Sequence, residues 1–233
     1  MAEHQTTSEP FDIVKYYGKQ RGQRISPREA WQRTKDEFIK HCSQDKDAEQ
    51  AWKSTSGRAL EKIVEQEFLR QIKSARMMKT IHIQHWNAVS DSRTKQILSE
   101  QLWLRGELRE PVMAESEVDF VAMEIDQDQK PTRVVAVYSC KASLRERFQQ
   151  DLYWAEKFRG RGIRFCLITL DNDGILCKSA ESGELTTKQA KMAAALYDRI
   201  YLFCDEQIKH HKRIFRPIRE IVRDLKKWLK ADL

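Results

Sequence analysis

Apolar positions recur along this chain with two different periods, and the switch between them marks out its centre. In "ISPREAWQRTKDEFIKHC" (25–42) the spacing is helical, with Ala30, Trp31, Thr34 and Phe38 on one stripe. Ser26 stands at the N-cap, Pro27 at the first helical position and Glu29 at the third, the pattern of a capping box. A second helical run covers about 47–75, where Leu60, Ile63, Val64, Phe68 and Ile72 recur. "TIHIQHW" (80–86) alternates as a strand does, and 90–108 returns to a helical pattern. The period then changes. "SEVDFVAMEID" (116–126) and "RVVAVYSCKA" (133–142) are β-rich runs joined by the polar turn "QDQKPT". A helix over about 143–159, stopped by "GRG", and a strand over 163–170 follow.

Further out the pattern predicts less regular structure. The first 25 residues read as a mobile arm with basic spots. "DNDG" (171–174) is a tight-turn signal that predicts a hairpin through "ILCK". Thr186 or Thr187 caps a helix running to Glu206, and "HHKRIFRPIREIVRDLKKWLK" (210–230) reads as one basic amphipathic helix. No repeat, low-complexity tract or glycine-rich linker interrupts the chain, so one domain is expected over 1–233. Its parts are an N-terminal arm and helix (1–50), a core (55–170) and C-terminal helices (186–233). The predicted class is α/β, a small mixed sheet flanked by helices.

Composition narrows the setting. With 40% apolar and 33% charged residues, the chain is globular, and no apolar run approaches the roughly 20 residues of a membrane span. The polar start carries no secretory signal, so a cytoplasmic protein without membrane partners is expected. Five widely spaced cysteines (42, 140, 166, 177 and 204) form no Cys-x-x-Cys and predict reduced thiols. The absence of a P-loop or Gly-x-Gly-x-x-Gly argues against a nucleotide cofactor. The net charge of +7 suits a polyanionic partner. The basic tail could supply phosphate contacts, pack on a partner subunit through Ile214, Ile218, Ile221, Leu225 and Trp228, or lie on a membrane surface.

The candidate chemistry lies in the central hairpin. Asp119 sits in an otherwise apolar strand and Lys141 ends the next one, which makes the two cross-strand neighbours. The plain reading is a surface ion pair. The chemical reading is phosphodiester hydrolysis, in which carboxylates hold a hard cation and a nearby lysine assists a water. His82 and His85 face opposite sides of their strand and make a poor metal pair. Cys140, between strand neighbours of the other facing, is expected in the core.

This arrangement, with "SCK" (139–141) and "RER" (145–147), resembles the PD-(D/E)xK nuclease superfamily. Within it, the pattern is similar to the CCGG-recognising, BsaWI-like branch of type II restriction endonucleases. The resemblance covers about 55–170 and implies an αβββαβ core, here extended by extra N- and C-terminal helices. Ser139 occupies the usual carboxylate slot, and in that branch the following helix supplies the acid. Asp151 and Glu156 are available, and the branch's spacing of about four helical turns past the lysine favours Glu156. The resemblance further implies Asp119, Glu156 and Glu61 as Mg²⁺ ligands, with Glu61 preferred over Glu65, and Lys141 as the residue assisting water. Arg145, Glu146 and Arg147 would then read bases, since arginine matches guanine O6 and N7 and a carboxylate accepts from cytosine N4. The expected activity is Mg²⁺-dependent cleavage of double-stranded DNA at a short palindrome with CC and GG halves, by a homodimer. Two rivals stay open: a repair or junction nuclease on the same fold, and a catalytically inactive DNA-binding module.

Overall fold

The computed structural model describes residues 10–23, 25–42, 47–89, 96–97, 118–142, 151, 154–156, 158, 162–172, 174–203 and 208–231. Six strands form one sheet in sequence order: β1 (Ile81–His85), β2 (Phe120–Ile125), β3 (Pro131–Lys141), β4 (Arg164–Thr169), β5 (Arg199–Leu202) and β6 (Phe215–Pro217). β1 to β3 pair antiparallel, and β3 to β6 pair parallel. β3 is buried from Val134 to Cys140, as its unbroken apolar run requires of a strand covered on both faces. The β2–β3 turn is tied by Asp126, whose carboxylate accepts the N–H groups of Asp128 and Lys130.

One face of the sheet carries α1 (Ile13–Gly22), α2 (Pro27–His41), α3 (Ala48–Ser74) and the C-terminal α6 (Ile221–Ala231). The other carries helical residues between 151 and 158 together with α4 (Ile175–Ser182) and α5 (Lys188–Leu196). The two buried clusters divide the strand residues by alternation: Phe120, Tyr138 and Cys140 look to the first face, Val121, Val137 and Leu167 to the second. The structure is thus the expected α/β sheet flanked by helices. The α2 cap is as read, with Ser26 Oγ accepting from the Glu29 N–H at 3.1 Å. Among the described residues no helix is long and apolar enough to cross a membrane.

Four outer elements differ from expectation, each for a local reason. Part of the N-terminal arm is α1, capped by Asp12, and its Tyr17 ring packs edge-on against Trp31 at 6.0 Å. The "DNDG" turn starts a helix, because the Asp171 carboxylate accepts the N–H groups of Leu176 and Cys177 and so caps α4 instead of opening a hairpin. The helix capped by Thr187 stops at Leu196, and "RIYL" pairs as β5 between β4 and β6. The tail is divided: Phe215–Pro217 forms the edge strand β6, where a proline is tolerated, and helix resumes only at Ile221. Ile221, Leu225 and Trp228 are buried in the first cluster, so this apolar stripe covers the chain's own sheet and not a partner subunit. The helix expected over 90–108 lies almost wholly outside the described residues.

Candidate active site

Ser139 and Lys141 are two residues apart on β3 and therefore share a face. Asp119 stands one residue beyond the Phe120–Tyr138 pair, which sets it opposite Ser139. The chain there is held by the Asp119 N–H, which donates to the Tyr138 carbonyl at 2.9 Å. The Asp119 carboxylate accepts the Cys140 N–H through Oδ2, so it curls over the end of β3. Lys141 Nζ lies 4.0 Å from Asp119 Oδ2 and 3.8 Å from Asp151 Oδ1. Asp151 is 1% exposed. Its Oδ2 accepts two hydroxyls, Ser139 Oγ at 2.8 Å and Tyr197 Oη at 2.8 Å. One lysine therefore faces two carboxylates, at the end of the sheet where β3 and β4 terminate.

Burial dominates the electrostatics. It pushes the Asp119 carboxyl up to about 6, against the opposing pull of Lys141 and of the Cys140 N–H, with Glu61 and Asp151 adding repulsion. Burial, with Asp151 beside it, pushes the Tyr197 hydroxyl well above the ordinary range, so it stays protonated and donates. Burial likewise raises Cys140, a core thiol on the opposite face, as its place in the alternation predicts.

Glu61, on α3, lies near enough to Asp119 to raise it, and its Oε2 meets His85 Nε2 at 2.9 Å. His85 Nδ1 accepts from the Asn87 N–H, which leaves Nε2 as the donor to Glu61. His85, set aside as an ordinary strand residue, thus braces a candidate site residue. Glu156 is exposed, whereas Asp151 lies against Lys141. The structure therefore brings Asp119, Lys141 and Asp151 together, with Glu61 close by, and leaves the spacing-favoured Glu156 in solvent. Asp151, Ala155 and Phe158 are the buried residues of this helix, at i, i+4 and i+7, and Glu156 falls outside their stripe. That stripe was the available signal. Tyr197 carried none, because it is 46 residues from Asp151. Arg145, Glu146 and Arg147 lie outside the described residues.

Asp119 and Asp151 are oxygen donors turned on one cationic head, a set that suits a hard divalent ion held by one or two carboxylates and water. Among the described residues no three His, Cys, Asp or Glu side chains are grouped so that they could hold a metal ion.

The BsaWI restriction endonuclease type 2 family matches residues 95–225, more than half of the chain and including every residue of the site except Glu61 and His85. The chain belongs to this family. Two solved structures share the fold of this BsaWI-family chain. One, the specific restriction endonuclease AgeI–DNA complex, aligns at 17% identity with a TM-score of 0.56, over 84% of this chain and 71% of that one. The other, the pre-specific restriction endonuclease BsaWI–DNA complex, aligns at 15% identity with a TM-score of 0.50, over 95% of this chain and 93% of that one. No curated protein matches. Membership makes the chain a restriction endonuclease, a site-specific nuclease, with a PD-(D/E)xK-type sheet.

Proposed function

We propose that this protein is a Mg²⁺-dependent type II endonuclease that cuts double-stranded DNA at a short palindrome with CC and GG halves. The observation that carries the reading is Lys141 set between the half-buried Asp119 and the buried Asp151 at the end of β3. Asp119 and Asp151 would hold the cation, with Asp151 in the part that the family's spacing assigned to Glu156. Bound Mg²⁺ would polarise the scissile phosphate and acidify a water. Lys141 orients that water and offsets negative charge at the phosphate. Glu61, braced by His85, would hold a further water or ion at the edge of the site. The hydrogen bond from Ser139 to Asp151 favours an active enzyme over an inactive DNA-binding module, because the residue in the vacant acid slot secures its replacement.

Both solved relatives are DNA complexes, which supports duplex DNA as the substrate. Arg145, Glu146 and Arg147, starting four residues after Lys141, are the residues to read guanine and cytosine edges. A palindrome presents the same half-site twice, which a two-fold homodimer matches with identical residues. The test is incubation of supercoiled plasmid with purified protein and Mg²⁺. Discrete fragments whose ends map to CC/GG palindromes are expected. A smear would make it a general nuclease, and intact plasmid that shifts on a gel would make it a binding module.

A further inference from the structure

The carboxylate that faces Lys141 is itself held by a residue from a distant part of the chain. We propose that Tyr197 is a positioning residue of the active site: its hydroxyl, with that of Ser139, pins one oxygen of Asp151 so that the other is presented to Lys141 and the cation. This rests on the assignment of Asp151 made above.

The geometry divides the two oxygens. Ser139 Oγ and Tyr197 Oη both donate to Oδ2 at 2.8 Å, while Lys141 approaches Oδ1 at 3.8 Å. Hydrogen bonds to an ionised acceptor are about twice as strong as neutral ones, and two of them from different elements fix the plane of the carboxylate. A carboxylate with 1% exposure also needs such donors because buried polar oxygens without hydrogen bonds are costly.

Tyr197 is well placed for this because its own position is also fixed from α5 and β4. It ends α5, where its N–H donates to the Ala193 carbonyl at 3.1 Å. Its ring stacks on Phe165 of β4, with centroids 5.3 Å apart and planes inclined by 23°. The next residue, Asp198, is clamped to the same strand: its N–H donates to the Phe165 carbonyl at 2.9 Å, and its carboxylate accepts the Phe165 N–H at 3.0 Å. The hydroxyl therefore projects to Asp151 from a fixed base. Ser139 comes from β3, so the carboxylate is gripped from β3 and from the start of β5 at once.

Tyr197→Phe removes the hydroxyl and keeps the stacked ring, so the fold should survive. The measurement is Mn²⁺ binding to the DNA-free protein by electron paramagnetic resonance, beside single-turnover plasmid cutting over a Mg²⁺ titration. Partners in the outer shell of a metal site are worth about 10- to 100-fold in affinity or activity. Tyr197→Phe should weaken Mn²⁺ by about tenfold or more and raise the half-saturating Mg²⁺ by a similar factor. Its melting temperature should stay close to wild type. Ser139→Ala should act in the same direction. Wild-type Mn²⁺ affinity in Tyr197→Phe would overturn the proposal, as would a lowered melting temperature with unchanged affinity. Asp151→Asn separates this from the underlying assignment. If Asp151→Asn loses binding and cutting while Tyr197→Phe keeps both, only the role of Tyr197 fails. If Asp151→Asn binds and cuts normally, the assignment fails and the role of Tyr197 with it.

Discussion

Asp151 and Asp224 are built alike and differ in one respect that separates chemistry from architecture. Both are buried, at 1% and 2% exposure, and each accepts a tyrosine hydroxyl: Tyr197 at 2.8 Å for Asp151 and Tyr201 at 3.0 Å for Asp224. Asp224, on α6, is shared by two arginines, Arg199 at 3.3 Å and Arg216 at 3.8 Å, and Arg216 reaches on to Glu220 at 3.0 Å. Every charge there has a fixed partner, and the cluster locks α6 to the sheet. At the other site, among the described residues, Lys141 faces both Asp119 and Asp151, one positive group against two negative ones. The same kind of buried aspartate is a clamp where cations match it and a candidate metal ligand where carboxylates are in surplus. The fold supports both because Asp224 lies between α6 and the sheet, whereas Asp119 and Lys141 lie at the end of the strands.

The comparison is broken most severely by removing either member of the Lys141–Asp119 pair. Lys141→Ala and Asp119→Ala should each lower the cutting rate by roughly 10²–10⁴-fold or more, while circular dichroism and melting stay near wild type. Equal cutting by Lys141→Ala would dissolve the site. Asp224→Asn should do the opposite. Breaking a buried ion cluster costs about 3–5 kcal/mol of stability, read from denaturant unfolding, yet cutting per folded molecule should stay within about twofold.

A third difference is pH. The Asp119 carboxyl is held at about 6 in the fold, above its ordinary value of 3.8. Its charged form is therefore disfavoured by folding. The metal-free protein should lose stability as pH rises from about 4 through about 6, by a few kcal/mol at most, and stay lower above. Asp119→Asn should lack that decline, which melting curves across pH 4–8 would register. Cutting runs the other way: it needs the ionised carboxylate, rises with pH through about 6, and has a midpoint that moves lower as Mg²⁺ is added.

The smallest effects concern recognition. Arg145→Ala or Arg147→Ala should weaken specific binding by about ten- to a hundredfold, at 1–3 kcal/mol for each bidentate guanine contact. In competition between a CC/GG duplex and a scrambled one, equal loss for both would make the arginines phosphate contacts instead.

Asp119, Ser139 and Lys141 could be brought near one another from the chain because a hairpin joins their strands, but the register, with two shifts between β2 and β3, sets Asp119 opposite Ser139 and not opposite the expected Lys141. The helix acid could not be read the same way. Asp151 and Glu156 are five residues apart, about 140° around a helix, so only one can face the sheet, and the docking of the helix decides which. Family spacing pointed to Glu156, and the buried stripe through Ala155 and Phe158 turns Asp151 toward the sheet. β5 and β6 were hidden for another reason. At four and three residues they are too short to show a period, and they exist because β4 offers an edge to pair with. Tyr197 needed the closed sheet before its neighbour could be known.

The most direct measurement compares single-turnover cutting by Asp151→Asn and Glu156→Gln at saturating Mg²⁺. The site described here predicts that Asp151→Asn loses about a hundredfold or more and Glu156→Gln stays within about twofold of wild type. A severe loss in Glu156→Gln with normal cutting by Asp151→Asn would contradict it.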